Sequence, residues 1–208
     1  CADAVLEKDR HYTWRVRVWD EADTPSAWSA PSDFSILTSE AAFAGSEWIG
    51  AITRKDARIP EGRKYHGSEL KKPEAKAAWA AVDTLAKKSI YLRREFYVAK
   101  KVKDATAYVC GLGFYEFSLN GEKVGDSEFA PLWSDYDKSV YYNTYDVTSQ
   151  VKKGGNAIGV LLGNGFYNVQ GGRYRKLQIS FGAPTLRFRM VVNYEDGTCE
   201  TIVSGKDW

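Results

Sequence analysis

The residues with the plainest chemical potential are Asp135 and Asp137, two carboxylates one position apart. Alternate residues of an extended strand share a face and lie roughly 7 Å apart, a spacing compatible with an acid and a base working across a glycosidic bond. They occupy a turn-like motif, however, and a solvated turn accounts for both without catalysis. His11 and His66 are the two histidines, and neither stands near a nucleophile motif such as GxSxG, so a hydrolase triad has no support. Gly111-Leu-Gly113 and Gly163-Asn-Gly165 lack the full glycine fingerprint and the βαβ setting of a nucleotide site, and strand-end turns explain them better. Cys1, Cys110 and Cys199 are too few and too scattered for a disulfide framework and form no CxxC pair. Cys110 and Cys199 sit in strand-like text, where buried small hydrophobes are expected.

The elements that must position such residues read as strands. Residues 11–19 alternate, with Tyr12, Trp14, Val16 and Val18 on one face and Arg15 and Arg17 on the other, which predicts a half-buried strand. Trp28, Ser29 and Pro31 lead into Phe34-Ser-Ile36 as its hairpin partner. The small, polar stretch 38–45 predicts a linker between a unit at 1–38 and one at 46–208. Ala75, Trp79, Val82 and Ala86 recur at helical spacing, so the one expected helix runs over 71–88, with Pro73 in its first turn. Beyond it come strands at 90–98, 105–110, 115–119, 139–147, 157–162, 186–194 and 198–203. Asn120-Gly121 is the dipeptide that a two-residue type I′ turn asks for, since both positions need positive φ. Many strands at short spacing with one helix in an insertion predict an all-β sandwich or jelly roll.

Composition narrows the partners. Across 208 residues, 29 basic and 27 acidic side chains leave a net charge of +2 and no Lys/Arg block, so there is no field to attract nucleic acid or anionic lipid. No apolar stretch approaches the roughly 20 residues a membrane span needs. Seven Trp and thirteen Tyr are many for this length; such rings serve as core filler or as platforms for the C–H faces of sugars.

From Tyr91 to Tyr167 the chain resembles the N-terminal β-sandwich domain of bacterial α-L-rhamnosidases. The resemblance is carried by Leu92-Arg-Arg-Glu-Phe96, Gly111-Leu-Gly-Phe-Tyr-Glu116, Leu119-Asn-Gly121, Val124-Gly-Asp126, Pro131-Leu-Trp-Ser-Asp-Tyr136, Val140-Tyr-Tyr-Asn-Thr-Tyr-Asp-Val147 and Leu162-Gly-Asn-Gly-Phe-Tyr167, in that order. Trp48-Ile-Gly50 and Tyr194-Glu-Asp-Gly197 extend it. The pattern Leu6, Tyr12, Trp14, Val16 resembles the closing strands of a fibronectin type III domain. About 36 residues cannot bury a sandwich core alone, so that hairpin is expected to pack on a neighbour or to continue in a longer protein.

The resemblance implies a galactose-binding-like jelly roll, truncated at its C-terminus, placed before an (α/α)6 barrel. That barrel would hold the catalytic carboxylates and remove terminal α-L-rhamnose from glycans. The chain itself is then expected to be non-catalytic, and its parent extracellular or periplasmic, because polymeric glycans lie outside the cell. Rhamnose has a methyl group and an apolar face, so a receptor pairs an aromatic platform with Asp or Asn side chains. Trp133, Asp135, Tyr136, Asn164, Tyr167 and Asn168 are that mixture; equally, Trp133 and Tyr136 can plug the sandwich end while Asp135 caps a turn. Arg173 and Tyr174, in the basic run Gly171–Lys176, join Trp133 and Tyr167 as candidates for contact with the barrel. No cofactor is required, although the resemblance allows calcium, since some relatives bind rhamnose with it. Rival readings are an independent carbohydrate-binding module or lectin, and a structural spacer of a cell-surface protein.

Overall fold

The structure is a computed structural model that describes residues 6, 10–36, 39–51, 65–66, 71–80, 88–169 and 177–208. It divides into two compact units, Cys1–Ala44 and Gly45–Trp208.

In the first unit, β1 (Arg10–Trp14) pairs antiparallel with β2 (Ser32–Ile36), with Tyr12 opposite and stacked on Phe34. The strand predicted to run to residue 19 stops at Trp14, and its apolar face is exposed at Trp14, Val16 and Val18. The reason is local. Ser29 and Ser26 accept the Val16 and Val18 amides on their Oγ atoms, while their own amides donate to the Val16 and Val18 carbonyls, so side chains replace half of the backbone ladder. Across this irregular pair the Arg17 guanidinium lies between Trp19 and Trp28, 4.7 and 4.6 Å from the ring centroids, a doubled cation–π contact. Where a bare linker is predicted, a helical turn, α1 (Ser39–Ala42), forms, and Ala42 and Phe43 are buried.

The second unit runs β3 (Tyr65–His66), α2 (Pro73–Ala80), β4 (Ile90–Val98), β5 (Val102–Leu112), β6 (Phe114–Leu119), β7 (Glu122–Lys123), β8 (Asn143–Asp146), β9 (Gly154–Gly163), β10 (Asn168–Val169), β11 (Leu177–Ser180), β12 (Thr185–Tyr194) and β13 (Cys199–Val203). The predicted helix is present as α2, with Pro73 at its start; residues 81–87 lie outside the described residues. Two four-stranded antiparallel sheets dominate, ordered β4-β9-β6-β7 and β13-β12-β5-β8, beside a small β10-β11-β3 sheet.

Period-two patterning places the core. Leu186, Phe188, Met190, Val192 and Tyr194 of β12 turn inward, as do Phe117 and Leu119 of β6 and Ile158, Val160 and Leu162 of β9. Phe117 of one sheet meets Phe188 of the other edge-on at 5.5 Å, so the sheets pack face to face as a β-sandwich. Trp208 adds a ring against Phe188 at 5.2 Å and donates its Nε1–H to the Val203 carbonyl. At the seam below β13, the fully buried Ser204 hydroxyl donates to the Glu47 carbonyl and accepts the Phe188 amide.

Asn120 and Gly121 close the β6–β7 hairpin with φ of 55° and 86°, as the Asn-Gly pair predicts. The Asn120 side chain has a second use. Its Oδ1 accepts the Ala157 amide and its Nδ2 donates to the Gln150 carbonyl and to Asn156 Oδ1, which locks the turn to β9. Cys110 is a buried thiol in β5, whereas Cys199 opens β13 at the sheet edge and is exposed, contrary to the expectation that both are buried. The run predicted as a strand over 139–147 is a strand only over β8.

Candidate functional site at the loop end of the sandwich

The site is built on two glycine turns. Gly113, with φ of 128°, lets the β5–β6 turn approach the end of β9 so closely that a Cβ there would lie 2.1 Å from the Gly163 carbonyl oxygen. Gly165, with φ of 52°, would place its Cβ 2.8 Å from the Phe114 amide. These are the strand-end turns that both Gly-x-Gly stretches predict. Their close approach sets Phe114 against Phe166, with ring centroids 5.8 Å apart.

Around that pair an outer tier of rings forms. Phe129 packs on Phe114 at 5.5 Å and Trp133 on Phe166 at 5.3 Å. Phe129, Leu132 and Trp133 are 68%, 75% and 66% exposed, and Phe166 is also exposed, so the tier is a solvent-facing apolar patch. Behind it lies an inner tier. Tyr136 meets Tyr167 edge-on at 5.2 Å, and both contact Phe181, to whose carbonyl the Tyr167 hydroxyl donates at 3.1 Å. The Tyr136 hydroxyl is buried without a hydrogen-bond partner among the described residues, and loss of water raises its pKa above the ordinary phenol value, with Tyr167 and Cys110 adding to the effect.

The six residues read from the sequence as sugar-contacting therefore fall together, on two facing loops, but at different depths. Trp133 and Asp135 are exposed, Tyr136 and Asn164 are partly covered, and Tyr167 and Asn168 are buried. Asp135 organises its own turn: its carbonyl accepts the Lys138 and Ser139 amides, and its carboxylate pairs with Lys138 at 3.0 Å. Asn168 donates both its amide and its side-chain Nδ2 to Asn164, at 3.1 and 2.9 Å. Arg173 and Tyr174 lie outside the described residues. Phe129, Phe166 and Phe181 are the site residues that sequence reasoning missed; the signal for Phe166 was its place between Gly165 and Tyr167 in a segment already singled out.

Calcium takes six to eight oxygen ligands, usually including several carboxylates. Among the described residues no three His, Cys, Asp or Glu side chains converge, so this donor set does not fit a carboxylate-rich calcium site.

A face-to-face β-sandwich with an aromatic loop end, in a chain that also carries a separate hairpin unit, places the second unit in the β-sandwich class of domains. The family model for the α-L-rhamnosidase N-terminal domain matches residues 100–208, and the one for the Rha78A-like N-terminal immunoglobulin domain matches residues 1–37. This chain belongs to the α-L-rhamnosidase N-terminal domain family. It is 37% identical over 210 residues to an α-L-rhamnosidase of Formosa agariphila, a match covering 98% of this chain and 21% of that protein. An α-L-rhamnosidase of Streptomyces avermitilis is 43% identical over 131 residues, covering 62% of this chain and 13% of that protein. The solved α-L-rhamnosidase of Dictyoglumus thermophilum superimposes with a TM-score of 0.68 at 32% identity, over 98% of this chain and 20% of that one. The matches thus span about a fifth or less of the length of these relatives. The first unit matches a model described as an immunoglobulin domain, where the sequence resembles fibronectin type III strands.

Proposed function

We propose that this chain is a non-catalytic accessory region of an extracellular or periplasmic α-L-rhamnosidase. Its parent's (α/α)6 barrel, outside this chain, would hydrolyse terminal α-L-rhamnosides with inversion, and the second unit would be a jelly-roll module that helps hold rhamnose-containing glycans. The observation that carries this reading is the family match over the sandwich, together with the exposed Trp133–Phe166 ring pair at its loop end. A flat indole beside a carboxylate and an amide suits a deoxy sugar, whose apolar face can lie on the ring while Asp135 and Asn164 accept or donate to hydroxyls. Tyr136, Tyr167 and Asn168 act from behind, holding the two loops in register. No cofactor is required in this reading.

A second reading has one specific observation in its favour: Phe129, Leu132, Trp133 and Phe166 form a continuous exposed apolar patch, the kind of surface that a neighbouring domain covers. In it the patch docks onto the barrel of the same polypeptide.

Calorimetric titration with L-rhamnose, with and without calcium and with D-glucose as control, separates the two. The first reading expects selective, saturable binding that Trp133→Ala abolishes and calcium does not alter, and no release of nitrophenol from p-nitrophenyl α-L-rhamnoside. Absence of binding up to about 10 mM, weaker than roughly −3 kcal/mol, favours docking; rhamnoside cleavage by this chain would overturn both.

A further inference from the structure

We propose that the outer face of the β4-β9-β6 sheet is a binding trough for an uncharged oligosaccharide chain, separate from the loop-end rings. The argument begins with β9, whose outward positions Gly155 and Ala157 are open, while Gly159, next on that face, is covered by the Tyr91 and Ser118 side chains. In register with the open positions on β4 stand Tyr97 and Glu95, and Arg93 stands opposite the covered Gly159. Nearly bare backbone beside full-length side chains leaves a depression of about 570 Å³ at the Asn120 end of this face, lined by Glu95, Phe96, Tyr97, Asn120, Gly155, Asn156 and Ala157.

Tyr97 lines it, and Tyr91 stands further along the same strand, over Gly159. Tyr91 and Tyr97 are 62% and 68% exposed, and six residues of one strand put them about 20 Å apart. A Cβ at Gly159 would lie 2.3 Å from the Tyr91 hydroxyl, so the missing side chain is what lets that phenol reach over the sheet. A Cβ at Gly155 would meet nothing within 4 Å, so the trough is open beside Tyr97.

Charge selects the occupant. Between the tyrosines Arg93 and Glu95 pair at 2.5 Å, which cancels the field while leaving an exposed donor fork and an exposed acceptor. A neutral ligand with apolar faces and a ring of hydroxyls matches amphipathic phenols spaced along a strand with hydrogen-bonding groups between them. The inference draws on the glycan reading above only for the choice of probes.

The test is a titration of the 208-residue chain with xylohexaose, cellohexaose and mannohexaose, following the backbone amides of Gly155, Ala157 and Gly159 by NMR, with L-rhamnose in parallel. At least one hexasaccharide is expected to shift those amides saturably. Tyr97→Ala should weaken binding at least about tenfold. Gly155→Leu should abolish it by filling the trough, with an unchanged circular dichroism spectrum because the added side chain enters open space. Neither variant should alter the response to rhamnose. Absence of hexasaccharide shifts below about 10 mM, or binding that survives both substitutions, overturns the trough. Hexasaccharide shifts confined to the Trp133 loop overturn it too, and leave the loop-end reading standing. Loss of rhamnose binding with intact shifts at Gly155 would do the reverse.

Discussion

Two aromatic pairs in the second unit have similar ring-to-ring distances and opposite surroundings. In the interior, Phe117 and Phe188 meet at 5.5 Å and are buried under both sheets; at the loop end, Trp133 and Phe166 meet at 5.3 Å and face solvent. Ring-to-ring distance therefore does not distinguish core from surface. What differs is how much of each ring is covered: the interior pair is almost wholly enclosed between the sheets, and the loop-end rings are 66% and 46% exposed. Burial of the first pair stabilises the fold, and the exposed area of the second is left available to a ligand or a neighbouring domain.

The comparison breaks most directly at Phe117. Phe117→Ala removes a ring that bridges the sheets and is expected to cost about 3–5 kcal/mol in urea unfolding; a cost near zero would mean that the sheets do not pack through it. The interior should also respond to alkali. Burial pushes the Cys110 thiol up to about 12, and burial with the Tyr145 hydrogen bond raises Tyr115 well above the ordinary phenol value. Both groups are neutral in the fold, so their contribution is complete below pH 9 and is progressively lost as the pH rises toward 12. Urea midpoints should be flat through neutral pH and fall above pH 9, and Cys110→Ala should reduce the slope of that fall. The smallest effect is expected at the loop end: Trp133→Ala should change unfolding stability by no more than about 0.5 kcal/mol. A loss of 2 kcal/mol or more would show that Trp133 is a packing residue and erase the distinction.

Much of the fold was legible because one face of each long strand is buried, which forces alternation. The β4, β6, β9 and β12 runs and the Asn120-Gly121 turn follow from that pattern and from positive φ. The irregular continuation of β1 was not legible, because Ser26 and Ser29 take over backbone hydrogen bonds without any hydrophobic signal. Nor was the exposure of Cys199, since position at the end of an edge strand depends on what pairs with it. At the candidate site the residue types were readable and their depth was not: Trp133 and Tyr167 look alike in the sequence, yet one is exposed and the other buried.

By itself the sequence determined the all-β class, the resemblance to the rhamnosidase domain and the residues that crowd the loop end, because composition, alternation and turn chemistry are local properties. The tertiary structure alone decided which rings see solvent, that Phe129 and Phe166 complete the outer patch, and that Gly155 leaves open space beside Tyr97 while Gly159 lies under Tyr91. Those outcomes depend on which strands become neighbours, and neighbours distant in the chain, such as Gly113 and Gly163, leave no periodic trace in it.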